Sequence, residues 1–317
     1  MNILIFGKDG QLGEAFRALI DNTNLSQDHQ IQYVGRDDCD LSQVEKVNAV
    51  LSTAKPDLII NAAAYTAVDK AETEVELANA INARAPELMA QYAVSHGATF
   101  LHYSTDYVFD GSKAGFYTEN DVRNPLGVYG KSKAAGEAAI EKAFSNATCG
   151  QYAIFRTSWV YGAGGNFIKT ILRLAKEREE LKVINDQYGV PTSAEWLAQV
   201  SLNLVLDQEL NLRKLTPGIY HAVPAGETTW HGLARFAAQA AIDAGVILNV
   251  SPEAIKPISA VEYPLPAPRP MNSRMDTAKL QLTLEHIGDM SKLQHSKQVW
   301  SDGVRAYVSQ LAQDRLI

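Results

Sequence analysis

The first thirteen residues restrict this chain more than any other stretch. Asn2-Ile-Leu-Ile-Phe6 is a short apolar run, and Gly7-Lys-Asp-Gly10-Gln-Leu-Gly13 follows it without a break. Leu12, Ala15, Phe16, Leu19 and Ile20 then recur at helical spacing. Strand, glycine turn and helix in that order form the opening unit of a dinucleotide-binding fold. The spacing is G-x-x-G-x-x-G. It meets the same physical needs as G-x-G-x-x-G: a tight turn, a backbone close to a pyrophosphate, and free N–H groups at a helix N-terminus.

The rest of the chain alternates in the same way. Ile31–Val34, Pro56–Ile60, Thr99–Tyr103, Gln151–Thr157, Leu181–Asn185 and Gly218–Val223 read as strands. The segments Ser42–Ala54, Val75–Ser95 and Ser193–Leu206 between them read as helices, with Ser42 a cap and Pro86 a kink or break. Strands that alternate with helical patterns predict a mostly parallel sheet with helices on both faces. The expected class is α/β, a Rossmann-type doubly wound parallel sheet with a smaller α/β substrate-binding domain. Residues 1–160, with returning elements at about 190–223, are assigned to the first domain. Residues 161–189 and 224–317 are assigned to the second.

Several strand ends carry chemistry. Gly35-Arg36-Asp37-Asp38-Cys39-Asp40-Leu41 follows the second strand, where such folds read the adenosine ribose. An arginine accommodates a 2′-phosphate, so Arg36 points to NADPH and leaves NADH open. A solvated turn residue is the bland alternative for Arg36. Ala62-Ala-Ala64 ends the third strand in small side chains, which suits a flat ligand and equally suits tight packing. Ser104-Thr105-Asp106 ends the fourth. Thr105 could donate a hydrogen bond to a substrate oxygen, or the triplet could simply cap a turn.

Beyond it comes Tyr129-Gly-Lys-Ser-Lys133. Residues four apart share one helix face. An ammonium beside a phenol lowers its pKa, and a tyrosine tuned that way can protonate a carbonyl oxygen as hydride arrives at its carbon. Late in the chain, Pro257–Pro270 is rich in proline, which suppresses helix there, and Tyr263–Arg274 overlaps it. A plain linker accounts for the prolines. Arg269, Asn272 and Arg274 would also suit a lip that binds phosphate.

Charge and cysteine content exclude some classes. With 29 basic and 36 acidic side chains the net charge is −7, so a nucleic-acid partner is not expected. No basic amphipathic segment suggests a membrane surface, and no apolar run is long enough to span one. The N-terminus lacks the features of a signal peptide. Cys39 and Cys149 fit neither a disulfide framework nor a zinc site. A cytoplasmic protein with reduced thiols is expected.

Together, the glycine loop, the strand-end Thr105 and the Tyr129–Lys133 pair resemble the extended short-chain dehydrogenase/reductase family. Within it the chain is similar to the branch that reduces dTDP-4-dehydro-β-L-rhamnose to dTDP-L-rhamnose. The matching stretches are Phe6–Gly13, Asn61–Glu72, His102–Phe109, Asn124–Glu137, Phe155–Gly162 and Arg269–Arg274. Ser-Thr-Asp-Tyr-Val-Phe and Arg-Thr-Ser-Trp-Val-Tyr are specific to the branch, whereas Tyr-x-x-x-Lys marks only the wider family.

The resemblance implies a cofactor site of Gly7, Gly10, Gln11, Leu12 and Gly13 at the pyrophosphate, with Asp40 and Leu41 at the adenine. Ala64, Tyr65, Thr66 and Tyr103 would line the path to the nicotinamide ribose. Tyr129 would donate the proton, and Lys133 would bind the ribose and lower the Tyr129 pKa. Thr105 would hold the keto oxygen. Asp106 and Trp159 would face the sugar, and Arg269 and Asn272 the nucleotide diphosphate. A homodimer is possible. Some members bind Mg²⁺ at a dimer contact through glutamates. Here Glu14 stands one residue early and Glu195 matches only by position, so Mg²⁺ is possible and not predicted. A reductase of a related dTDP-4-keto sugar is one alternative. A non-catalytic regulatory subunit of the same fold is another, which the presence of Thr105, Tyr129 and Lys133 together disfavours.

Overall fold

The computed structural model describes residues 1–23 and 25–317. Its centre is a six-stranded sheet of β1 (Asn2–Phe6), β2 (Gln30–Val34), β3 (Leu58–Asn61), β4 (Thr99–Thr105), β5 (Gln151–Thr157) and β6 (Gly218–His221). The order is β6-β5-β4-β3-β1-β2, and every pair is parallel. Sequence neighbours β1 and β2 lie on one side and β3 begins the other. This places a switch point at the carboxyl ends of β1 and β3, where α/β sheets bind ligands.

β1, β3 and β4 are buried almost throughout because helices cover both of their faces, and β1 and β3 accordingly read as apolar runs. On one face pack α1 (Gln11–Asp21) and a later helix, Ala194–Val205, whose Trp196, Leu197 and Val200 join Phe16, Ile5 and Tyr103. On the other face pack α2 (Val44–Ala54), α3 (Ala85–His96) and α4 (Val128–Phe144), through Val47, Met89, Ala93 and Ile140. α4 carries Tyr129 and Lys133. A bidentate pair between Arg156 of β5 and Glu137 of α4, with N–O distances of 2.9 and 2.7 Å, ties the helix to the sheet.

Smaller clusters form beyond the sheet. Helices Phe167–Glu177, Trp230–Asp243 and Trp300–Gln313 pack together, beside a parallel pair of strands, Leu181–Ile184 and Ile255–Ile258. Leu280, Leu284 and Leu293 do not belong to those clusters; they enter the core under the large sheet. Residues 278–296, expected in the second domain, therefore stabilise the first.

Two local expectations change. Ser42 does not cap α2: its N–H and hydroxyl both donate to Asp40, and Gln43 takes the cap position without a side-chain bond. The segment around Pro86 is not a plain kink. It passes from helix Val75–Asn79 through a π-helical turn, Ala80–Arg84, into α3. Proline has no N–H for the carbonyl four residues back and would crowd it, and the wider turn relieves the clash.

Candidate active site

The glycine loop earns its composition position by position. Gly7 has φ +88°, and a Cβ there would lie 2.7 Å from the Ala63 nitrogen. A Cβ on Gly13 would lie 2.0 Å from the Gly7 carbonyl oxygen. Gly13 therefore permits α1 to pack against the turn and contributes no wall to the cavity. The loop opens on a cavity of ≈ 600 Å³ at the carboxyl ends of β1, β3 and β4, a size typical of ligand pockets.

Gly7, Gly10, Gln11, Leu12, Arg36, Asp40, Leu41, Ala64, Thr66, Tyr103, Tyr129 and Lys133 all line it. Tyr65 does not. Its N–H donates to the Asn82 side chain at 2.8 Å and its hydroxyl to Glu74 at 2.8 Å, so it shapes the wall from behind. The cavity holds buried polar atoms without a protein partner: Gln11 Oε1, Ser104 Oγ and Thr157 Oγ1. Buried polar groups are normally paired, so these are fitting contacts for a polar ligand. Ser104 belongs to the strand-end hydroxyls read from sequence, with no ligand role given to it, and Thr157 has no sequence reading of its own. Their position at adjacent strand ends was the available signal.

Tyr129 is partly buried. Burial pushes its phenol up to about 12, and the Thr105 hydroxyl beside it pulls the other way. Burial brings Lys133 down to about 8, with the Glu137 carboxylate opposing. The expected lowering of the tyrosine by the lysine is therefore not what the structure holds. The Lys133 ammonium lies instead on the Tyr103 carbonyl oxygen, at 2.5 Å, and on His102 Nε2, at 3.3 Å. Desolvation dominates at Tyr129, and the neutral phenol is the form present at neutral pH.

Thr105 donates to Asp106 Oδ1 at 2.9 Å and accepts from the Tyr107 N–H at 3.2 Å. Asp106 also accepts from the Ser273 hydroxyl. Burial raises this carboxyl to about 6, while Ser273 and Thr105 favour its ionised form. Tyr107 meets Tyr129 edge-on, with ring centroids 5.4 Å apart.

Three expected substrate contacts sit differently from the sequence reading. Arg269 makes a bidentate pair with Asp69, at 2.6 and 2.9 Å, and is not free for a diphosphate. Asn272 is buried with its amide fully used: it donates to the Lys113 and Gly115 carbonyls and accepts from Arg274. Trp159, with φ +48°, stacks on Trp230 at 3.6 Å, while its neighbours Thr157 and Val160 line the cavity. Local backbone strain of that kind clusters at functional sites.

Glu14 lines the cofactor-sized cavity, whereas Glu195 lines a separate one. Among the described residues no three metal-ligating side chains gather. The described residues of this chain do not by themselves gather a Mg²⁺ site.

A glycine-loop Rossmann sheet with Tyr129 and Lys133 on one cavity, and Thr105 beside Tyr129 though not itself on the cavity wall, is the arrangement of a short-chain dehydrogenase/reductase. The family described as RmlD substrate binding domain matches residues 1–304. The dTDP-4-dehydrorhamnose reductase of Escherichia coli (strain K12) is 47% identical over 286 residues, covering 89% of this chain and 91% of that protein. That of Salmonella typhimurium is 46% identical over 291 residues, covering 90% and 93%. Among solved structures, the dTDP-4-dehydrorhamnose reductase of Bacillus anthracis in complex with NADP superposes with a TM-score of 0.80 at 32% identity, covering 97% of this chain and 98% of that one. The Clostridium acetobutylicum enzyme gives 0.82 at 34%, covering 98% and 99%. This chain belongs to the dTDP-4-dehydrorhamnose reductase family.

Proposed function

We propose that this chain reduces the C4 keto group of dTDP-4-dehydro-β-L-rhamnose to give dTDP-L-rhamnose, with NADPH as the reductant. The observation that carries the site assignment is Tyr129, a neutral phenol on the cavity wall with Thr105 and Lys133 beside it. NADPH, when bound, supplies the hydride. The backbone of Gly7, Gly10, Gln11 and Leu12 faces the pyrophosphate, and Arg36 offers a cation to a 2′-phosphate.

Tyr129 gives its proton to the developing C4 alkoxide. A high phenol pKa suits this direction, because the acid is fully loaded at neutral pH. Tyr129 is a preorganised donor to that oxygen, and Thr105 joins it by turning its one hydroxyl proton away from Asp106; donors placed so usually carry the largest share of catalysis. Lys133 holds the ribose hydroxyls. Asp106 and Ser273 orient Thr105. Asn272 is a positioning residue for the loop at 113–115, and Arg269 fastens the 267–273 segment. Trp159 and Asp106 border the sugar.

The test follows absorbance at 340 nm with NADPH, then NADH, after adding enzymatically made dTDP-4-dehydro-L-rhamnose. A fall is expected, fastest with NADPH. In Tyr129→Phe, turnover should drop at least about a hundredfold, with cofactor binding retained. Full turnover in that variant would overturn the assignment. No turnover in wild type despite cofactor binding would redirect the substrate to a related 4-keto sugar.

A further inference from the structure

His102 is wholly buried at the middle of β4, and the proposed chemistry leaves it unused. Its ring touches two polar groups. Nδ1 lies 3.1 Å from the Asn61 amide nitrogen, and Nε2 lies 3.3 Å from Lys133 Nζ. Asn61 and Lys133 are also buried. Asn61 is the β3 residue paired with His102 across the sheet. Its amide oxygen accepts from the Ala63 N–H at 3.3 Å, in the Ala62–Ala64 wall of the cavity.

Both partners, placed this way with Lys133 charged, are donors. A neutral imidazole has one N–H and one acceptor nitrogen, and an ammonium cannot accept. The ring is held neutral, because burial and the adjacent Lys133 push its pKa well below the usual histidine range. Two arrangements satisfy the imidazole, the lysine and the Asn61 amide that faces it. In the first, Lys133 is an ammonium that donates to Tyr103 O and to Nε2. Then Nδ1 carries the proton, and the Asn61 amide turns its oxygen to receive it and releases the Ala63 N–H. In the second, one proton has left to solvent. Lys133 is an amine that accepts from Nε2–H, Nδ1 accepts from the Asn61 amide, and Ala63 keeps its bond.

We infer that His102 is a positioning residue that couples the charge of Lys133 to the orientation of Asn61 at the cofactor wall. The inference rests on the proposed role of Lys133 as the ribose-binding cation. The charge that Lys133 presents to the cavity is then set from behind by an imidazole whose tautomer must change with it.

The surroundings of Lys133 leave His102 as the variable partner. On α4 it feels Glu137 one turn on, which is itself locked to Arg156 of β5, and Tyr129 one turn back. From β4 it meets the Tyr103 carbonyl, and the Tyr103 phenol is turned away to Ser201 at 2.8 Å. Asp106 lies at the end of that strand, bonded to Thr105 and Ser273. From β3 only the uncharged Asn61 approaches, through His102.

Two measurements test the coupling. Long-range ¹H–¹⁵N correlation of the imidazoles in the unliganded protein reads the tautomer. His102 should be Nδ1–H near pH 7 and become Nε2–H as pH rises through the Lys133 titration. A single tautomer from pH 6 to pH 10 would overturn the inference. The second measurement is the pH profile of kcat. His102→Phe removes the acceptor from the ammonium, so its alkaline limb should move down by about one pH unit. His102→Gln, which returns an amide oxygen, should bring the limb back. A folded His102→Phe with an unmoved limb would also overturn it, whatever its turnover. If wild type shows no turnover, the proposed function has failed, and the tautomer measurement still decides the coupling.

Discussion

A carboxylate among hydroxyls in a dry interior titrates high, and Asp106 is that case. Burial raises it to about 6 even though Ser273 and Thr105 bond its ionised form. A raised folded value means that between about 4 and about 6 the folded state binds more protons than the unfolded state. Folding stability contributed by this group then falls as pH rises through that window, and the cost of the buried charge is complete above it. Asp106→Asn should therefore gain stability relative to wild type at pH 7.5 compared with pH 4.5, as read from urea midpoints at the two pH values. A difference that is the same at both would show that Asp106 does not carry this titration. The same burial explains why Tyr129 departs from the sequence expectation. An i, i+4 lysine identifies the right pair of residues, but spacing on one helix says nothing of the Tyr103 carbonyl and His102 ring, which come from another strand and claim the ammonium.

The π-helical turn at Ala80–Arg84 links the proline to the catalytic helix. Pro86 lacks the N–H that would have bonded the Asn82 carbonyl, and α4 fills the place with Gly136. A Cβ on Gly136 would lie 2.1 Å from the Asn82 oxygen. The Asn82 side chain reaches on to both the N–H and the carbonyl of Tyr65 and to Ser132 of α4, and Ser132 donates back to the Tyr129 carbonyl at 2.8 Å. One turn thus sets the height of α4 against the cavity wall. Gly136→Ala should cost about 1–3 kcal/mol by overpacking backbone against backbone. It should also slow turnover more than a substitution of an exposed residue of α4 such as Lys142→Gln. Chemical denaturation and the 340 nm assay would check both, and a fully stable, fully active variant would show that the helix has room to move. From sequence, Pro86 announced a break. Its accommodation in a π turn depends on a glycine fifty residues away, which no local pattern encodes.

At the scale of the whole molecule, the proline-rich segment is a strap across the two halves. Ser259 bonds Asp186, Arg269 and the Ala267 N–H hold Asp69, Asn272 holds the loop at 113–115, and Ser273 reaches Asp106. Asp69 is substantially exposed, and surface ion pairs contribute little to global stability. Asp69→Asn should accordingly leave the melting temperature within a few degrees of wild type. It should also speed hydrogen exchange at residues 267–273 several-fold and raise KM for the sugar nucleotide. Unchanged exchange in that segment would show that the strap holds without this pair.

The sheet, the glycine loop and the Tyr129–Lys133 helix were legible because each rests on local rules: apolar runs for covered strands, glycines for close approach, and helical spacing for a shared face. Residue types and their spacing limit which side chains can carry chemistry. What each of them bonds follows from the packing of distant segments. Arg269 and Asn272 look like ligand contacts in an extended, proline-rich stretch, yet packing delivers them to Asp69 and to backbone carbonyls. Asn82 lies outside every matching stretch, and His102 and Ser273 lie inside theirs with no role to read from the pattern. They matter because a buried polar group must be satisfied by whatever distant segment the fold brings beside it, and that partner is a property of three dimensions.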